Sequence, residues 1–128
     1  MKIIILCLFL LNFLSANLLQ EAINNAPEGS VLKLPKGVYK GSIIINKPLS
    51  IIGKEDGVII DGGGIGTVIQ ITSSYLTIKN LTITGSGDRH DLLDSAIKIN
   101  NSKQSEISNC IIKDSLFGID ITMTNNSI

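Results

Sequence analysis

The chain contains no tryptophan, a single histidine and a single arginine, and only 4% of its 128 residues are aromatic. It has two cysteines, Cys7 and Cys110, and two methionines. Eleven Lys and Arg balance eleven Asp and Glu, so the formal net charge is zero. Each shortage excludes something. A balanced chain has no long-range field to draw in nucleic acid or an acidic membrane. Few rings leave few platforms for sugars: past residue 16 only Tyr39, Tyr75 and Phe117 remain, with Phe117 expected to pack beside Gly118. That argues against a dedicated carbohydrate groove. A copper site needs clustered thiolate, thioether or imidazole ligands, whereas Cys110, His90 and Met123 are scattered along the chain. No cofactor bound by this segment is expected.

What is abundant is isoleucine, accompanied by Asn, Ser, Thr and Gly. β-branched residues among small turn-formers disfavour a helical bundle and favour short strands. The length allows one domain at most.

Residues 1–16 have the layout of an export leader: Lys2, an apolar run over residues 3–11, and small residues Ser15 and Ala16. The run is short of the roughly 20 residues that a bilayer span needs. Cleavage is expected after Ala16, with a retained anchor as the alternative. Removal takes away Lys2 and Cys7, leaving a net charge of about −1. Cys110 is then alone and no intramolecular disulfide can form. Export with no remaining span is expected to place the chain outside the cytoplasm.

Residues 17–30 read as a capping helix. Leu18, Leu19, Ala22, Ile23 and Ala26 share one face, Asn17 with Gln20 resembles a capping box, and Pro27 with Gly29 stops the helix. From Val31 to Ile128 the period changes to two. Segments such as VLKL, SIIIN, LSIIG, VIID, TVIQI, LTIKN and LTIT follow one another between Gly, Asn, Lys-Pro and Ser turns. They repeat. LTIKNLTITG (residues 76–85) aligns with SEISNCIIKD (105–114) at an offset of 29, matching Asn80 to Asn109, Ile78 to Ile107 and Ile83 to Ile112. Ile69 and Ile71 match Ile97 and Ile99 at 28, and these match Ile119 and Ile121 at 22. Ile43, Ile45, Leu49 and Ile51 form an earlier, looser copy.

A unit of three short strands cannot bury its own isoleucines, but stacked units can. The expected architecture is therefore an all-β, right-handed parallel β-helix (a pectin-lyase-like solenoid). An antiparallel sandwich is the alternative, disfavoured because Lys79-Asn80-Leu81 leaves no room for a hairpin reversal. Asn80 and Asn109 are expected to stack as an amide ladder at one corner. The tail GIDITMTNNSI enters a further coil, so the 31–128 segment reads as the start of a longer solenoid.

The candidate chemistry is sparse. The loop over residues 85–94 holds Asp88, Arg89, His90, Asp91 and Asp94, which could form a carboxylate–histidine cation site or an acid/base pair. A solvated loop of turn-capping aspartates explains the same residues. Cys110 stands where Leu81 stands one copy earlier, and so reads as a small inward hydrophobe. DGGGIG (residues 61–66) lacks the lysine and helix of a phosphate loop, and Val68 replaces the aspartate of a calcium nonapeptide. It reads as a tight turn. No catalytic residue is assigned and no metal-ligand set is identified.

The run LLQEAINNAPEGSVLKLPKGVYKGSIIINKPLSIIGKEDGVIIDGGGIGTVIQI with LTIKNLTITGSG resembles the opening of the NosD family, periplasmic maturation proteins of nitrous-oxide reductase within the carbohydrate-binding and sugar-hydrolase-like β-helix group. The likeness covers residues 17–122, and DLLDSAIKI and LFGIDI resemble the next NosD coils. It implies a periplasmic right-handed β-helix working with nitrous-oxide reductase and ABC-type transporter subunits in copper supply. It carries over no catalytic residues. Two other readings stay open on the residues alone: an enzyme acting on polysaccharide (lyase, hydrolase or mannuronan epimerase), and a secreted surface or adhesion repeat.

Overall fold

A strand of three residues buries one or two side chains and cannot stand alone. Repetition solves this by stacking equivalent strands. In the computed structural model, which describes residues 3–5 and 17–122, strand β1 (Ile3–Ile5) and helix α1 (Asn17–Asn25) precede four coils. The first coil is β2 (Ser30–Leu34), β3 (Gly37–Lys40) and β4 (Ile43–Ile45); the second is β5 (Leu49–Gly53), β6 (Val58–Asp61) and β7 (Ile69–Ile71). The third is β8 (Thr77–Lys79), β9 (Thr82–Thr84) and β10 (Ser95–Asn100); the fourth is β11 (Glu106–Ser108), β12 (Ile111–Lys113) and β13 (Phe117–Thr122). Apart from β1, the leader expected over residues 1–16 lies outside the described residues, as does the tail past Thr122.

Equivalent strands join into three sheets. The first sheet runs β1-β2-β5-β8-β11, the second β3-β6-β9-β12 and the third β4-β7-β10-β13. Every pairing among the described strands is parallel. The architecture is a right-handed parallel β-helix, and the sandwich alternative is excluded. The register is the one the repeats predict: Ile78 pairs with Ile107, Ile83 with Ile112, and Ile43, Ile69, Ile97 and Ile119 form one row.

Alternation turns one side of each strand inward, where copies meet at the strand spacing of about 4.8 Å. The first sheet contributes Leu32, Ile51 and Ile78, the second Ile60 and Ile83, and the third Ile43, Ile69 and Ile97, all 1% exposed or less. Burying each such side chain contributes roughly 1.5–3 kcal/mol. β3 has no isoleucine; Tyr39 fills the place of Ile60 and Ile83, and its hydroxyl donates to the Pro35 carbonyl at 2.6 Å. Burial pushes that phenol up to about 12, so it stays protonated and takes no part in acid/base work near neutrality.

One bend per corner recurs at the 29-residue offset with the backbone in the left-handed region. Tyr75 and Gln104 (φ 60° and 51°) lead into the first sheet, Asn80 and Asn109 (60° and 52°) into the second, and Gly85 and Asp114 (82° and 49°) leave it. That conformation is costly for most L-residues and least so for Gly, Asn and Asp. Each bend also donates its amide to the coil above: Tyr75 to Lys103 O at 2.9 Å, Asn80 to Ser108 O at 3.2 Å, Gly85 to Asp114 O at 3.1 Å.

Helix α1 buries Leu19, Ile23 and Ala26, with Leu18 and Ala22 half-buried. The Gln20 carboxamide spans to β4, accepting from the Ile44 N–H at 2.7 Å and donating to the Ile44 carbonyl at 2.9 Å. Two unpaired groups on the edge of β4 need partners, and one side-chain amide satisfies both. Lys47 ties down the helix end, donating to the carbonyls of Asn24 and Ala26 at 2.8 and 3.0 Å.

Candidate functional site

The corner between the second and third sheets is where coil lengths diverge. It spans residues 62–68 in the second coil and 85–94 in the third. The sequence of the first stretch forces close approach: Gly63 and Gly64 have φ of 74° and 82°, and Gly63 N–H donates to Asp61 Oδ1 at 2.9 Å. A Cβ on Gly62 would lie 2.7 Å from the Gly85 carbonyl. This is a tight turn held against the coil above it, as expected from its glycines, and its amides serve that stack: Gly62 donates to Thr84 O at 2.9 Å and Gly64 to Gly85 O at 2.7 Å.

The longer loop lies on top of this turn. Gly87 N–H donates to Gly66 O at 2.8 Å, and the chain then folds back so that Asp94 N–H reaches Arg89 O and Leu93 N–H reaches His90 O, both at 3.2 Å. Leu93 takes φ 54° to close the reversal. The fold-back brings two of the five candidate residues together. Arg89 Nε donates to Asp94 Oδ2 and its NH2 to Asp94 Oδ1, both at 3.0 Å, while Arg89 N–H adds a third bond to Oδ2 at 3.1 Å. Asp94 is buried; Arg89 is half-exposed. Fork-to-fork pairing of this kind is the strong geometry for a guanidinium and a carboxylate.

The pairing decides what these side chains can do. Hydrogen bonding from Arg89 holds the Asp94 carboxyl below the usual carboxylate range, against the opposing effect of burial. Hydrogen bonding to Asp94 pushes the Arg89 guanidinium further up. Asp94 is therefore a committed anion, occupied at both oxygens. Asp88, His90 and Asp91 lie exposed on the same loop. The His90 ring meets Phe117 edge-on, with centroids 6.2 Å apart and planes at 83°. The Phe117 ring is 38% exposed and turned to His90 across the coil boundary. Among the described residues, no three or more His, Cys, Asp and Glu side chains are grouped so as to hold a metal ion.

The opposite corner, between the first and second sheets, carries Asn80 and Asn109. Asn109 Nδ2 donates to Asn80 Oδ1 at 3.1 Å, and Asn80 Nδ2 donates to the Gly53 carbonyl at 3.0 Å. The ladder therefore ends on backbone, because its third rung is a glycine. Beside it runs a groove of about 330 Å³ lined by Asp56, Val58, Thr82, Cys110 and Ile111 among others. Sequence reasoning missed this groove, whose lining runs over three coils and includes both the buried Leu81 and the half-buried Cys110 that takes its place one coil later. The Cys110 thiol lies 3.3 Å from the Ser108 carbonyl. Burial pushes it up, which disfavours the thiolate that nucleophilic or metal chemistry needs.

Among the described residues no helix is long and apolar enough to cross a membrane. Compared with family models, curated proteins and solved structures, the chain matches none.

Proposed function

We propose that the chain is a periplasmic accessory protein for copper-site maturation of nitrous-oxide reductase, working with an ABC-type complex. The observation that carries this reading is the likeness of residues 17–122 to the opening coils of the NosD family, helix and Asn-bearing corner included. Copper in this reading is cargo. The β-helix acts as a rigid docking face, and its side chains carry no chemistry of their own. Stacked coils suit that role, since a solenoid side is fixed by many short strands and presents a surface of constant geometry.

Two measurements test it. In a denitrifying host, deleting the gene is expected to leave nitrous-oxide reductase synthesised but depleted of copper; full copper loading would overturn the reading. The purified chain is expected to show no tight stoichiometric site in a copper titration, and such a site would reject the docking mechanism. The polysaccharide-enzyme reading makes a separate demand on the loop over 85–94: activity on uronic-acid polymers that is lost in His90→Ala. Detecting it would replace the accessory role with a catalytic one.

A further inference from the structure

Residues 86–94 form a strap laid across the glycine turn of the coil beneath, with Ser86 Oγ also accepting from the Leu116 N–H of the coil above at 2.8 Å. The strap's backbone reaches that turn through the Gly87–Gly66 hydrogen bond. Its two ends are joined by the Arg89–Asp94 clasp, around which packing is tight. A Cβ on Gly87 would overlap Asp94 Oδ2 and lie 2.7 Å from Gly66 N, and one on Gly66 would lie 3.5 Å from the Arg89 guanidinium. Between the clasp residues the chain is strained and exposed: Leu93 sits at φ 54°, and Leu92 and Leu93 are 50% and 44% exposed. The two leucine side chains bury little here, and the segment is held through its carbonyls, Leu92 O accepting from Lys98 Nζ at 2.8 Å and Leu93 O from Ser95 Oγ at 2.6 Å, together with the clasp.

We propose that the Arg89–Asp94 pair is an acid-released latch: with Asp94 ionised it pins the strap over the glycine turn, and protonating Asp94 frees the strap while the stacked coils persist. The surroundings single out Asp94 as the trigger. The strap itself brings Asp88, His90 and Asp91, all exposed, and β10 brings Lys98, whose Nζ donates to Leu92 O at 2.8 Å. The second coil brings Asp61, engaged with the Gly63 amide, and the fourth brings the uncharged Leu116 and Phe117, whose amide donates to the Asp94 carbonyl at 3.3 Å. Asp94 alone is both buried and bidentate. Because its folded value lies below the ordinary aspartate value, the clasp is at full strength above that ordinary value. It is lost as pH falls through the folded one. The coils are held by columns that contain no carboxylate, their titratable Tyr39 and Cys110 being neutral in acid, and do not follow.

The test is limited proteolysis of the full chain at the Leu92–Leu93 bond by pepsin over a series of acidic pH values, normalised to a synthetic peptide of residues 85–96 and paired with far-UV circular dichroism. Cleavage of a transiently opened segment tracks its open population. Wild type should show normalised cleavage rising about tenfold or more as pH falls, with the β signal unchanged. Asp94→Asn should start at the high rate and lose the pH dependence. Arg89→Gln gives a second route should Asp94→Asn fold poorly, and it should also raise cleavage at the upper end of the range. Equal pH dependence in wild type and Asp94→Asn would overturn the proposal. So would strap cleavage that appears only together with loss of the β signal.

Discussion

The two corners that flank the second sheet are built from opposite materials. Between the first and second sheets, the third and fourth coils turn on one left-handed asparagine each, and the amides of Asn80 and Asn109 bond along the stack to Gly53. Between the second and third sheets, successive coils use a glycine turn and then a ten-residue fold-back closed by an ion pair. The first corner gains stability where it repeats, in the third and fourth coils, since stacked identical groups satisfy one another. The second gains nothing from sameness: its loops differ in length, the longer one folding back on itself while the glycine turn bonds to the coil above through the Gly62 and Gly64 amides. This is the corner where coil length changes, and where the chain places its only histidine and only arginine.

Glycine substitutions separate the two most sharply. At Gly53 a Cβ would run into the Asn80 carbonyl, which is backbone and part of the ladder corner. Gly53→Ala is expected to cost about 2–3 kcal/mol through forced overpacking, read as a lowered urea midpoint. At Gly64, φ is 82° but a Cβ would meet nothing within 4 Å. Gly64→Ala should cost only about 1 kcal/mol, from the left-handed backbone alone. Equal costs would mean that close approach to the Asn80 backbone at Gly53 adds nothing beyond the left-handed cost at Gly64.

Smaller effects resolve the ladder itself. Asn80 is both donor to Gly53 and acceptor from Asn109, whereas Asn109 makes one rung. Asn80→Ala is expected to cost about 1–2 kcal/mol and Asn109→Ala about 1 kcal/mol, measured by denaturant titration. The two should be non-additive in the double variant, because they share a bond. Additive losses would mean that the amides act separately and no ladder exists.

This contrast also explains which features could be read from the chain. Repetition makes a position visible several times over, so the rows through Ile69, Ile97 and Ile119 and the Asn80–Asn109 match carry the register in the sequence itself. β3 escaped notice because Gly-Val-Tyr-Lys has one inward side chain and no isoleucine to align. The Gln20 bridge escaped notice for a related reason: its partners on Ile44 lie 24 residues away, and a local pattern cannot register an edge strand arriving from elsewhere. In the loop over 85–94 the residue types were legible as a cluster, but their division was not. Which aspartate is buried depends on the fold-back at Leu93 and on the space left by Gly66 and Gly87. That division turned one of three aspartates into a structural clasp partner and left the other two in solvent.

The fold is built on coils stacked in parallel, with residue 77 beside residue 106. Cysteine pairing tests that register directly. In a chain carrying Cys7→Ser and Cys110→Ser, Thr77→Cys and Glu106→Cys would be Cα partners on adjacent parallel strands, within the separation of about 4.4–6.8 Å that a disulfide tolerates. Thr77→Cys with Ser108→Cys would be displaced by two residues to about 8 Å. Under mild oxidation the first pair is expected to close to a disulfide in the folded protein while the second stays reduced. Closure of the second pair in preference to the first, or of neither, would contradict the stacked register.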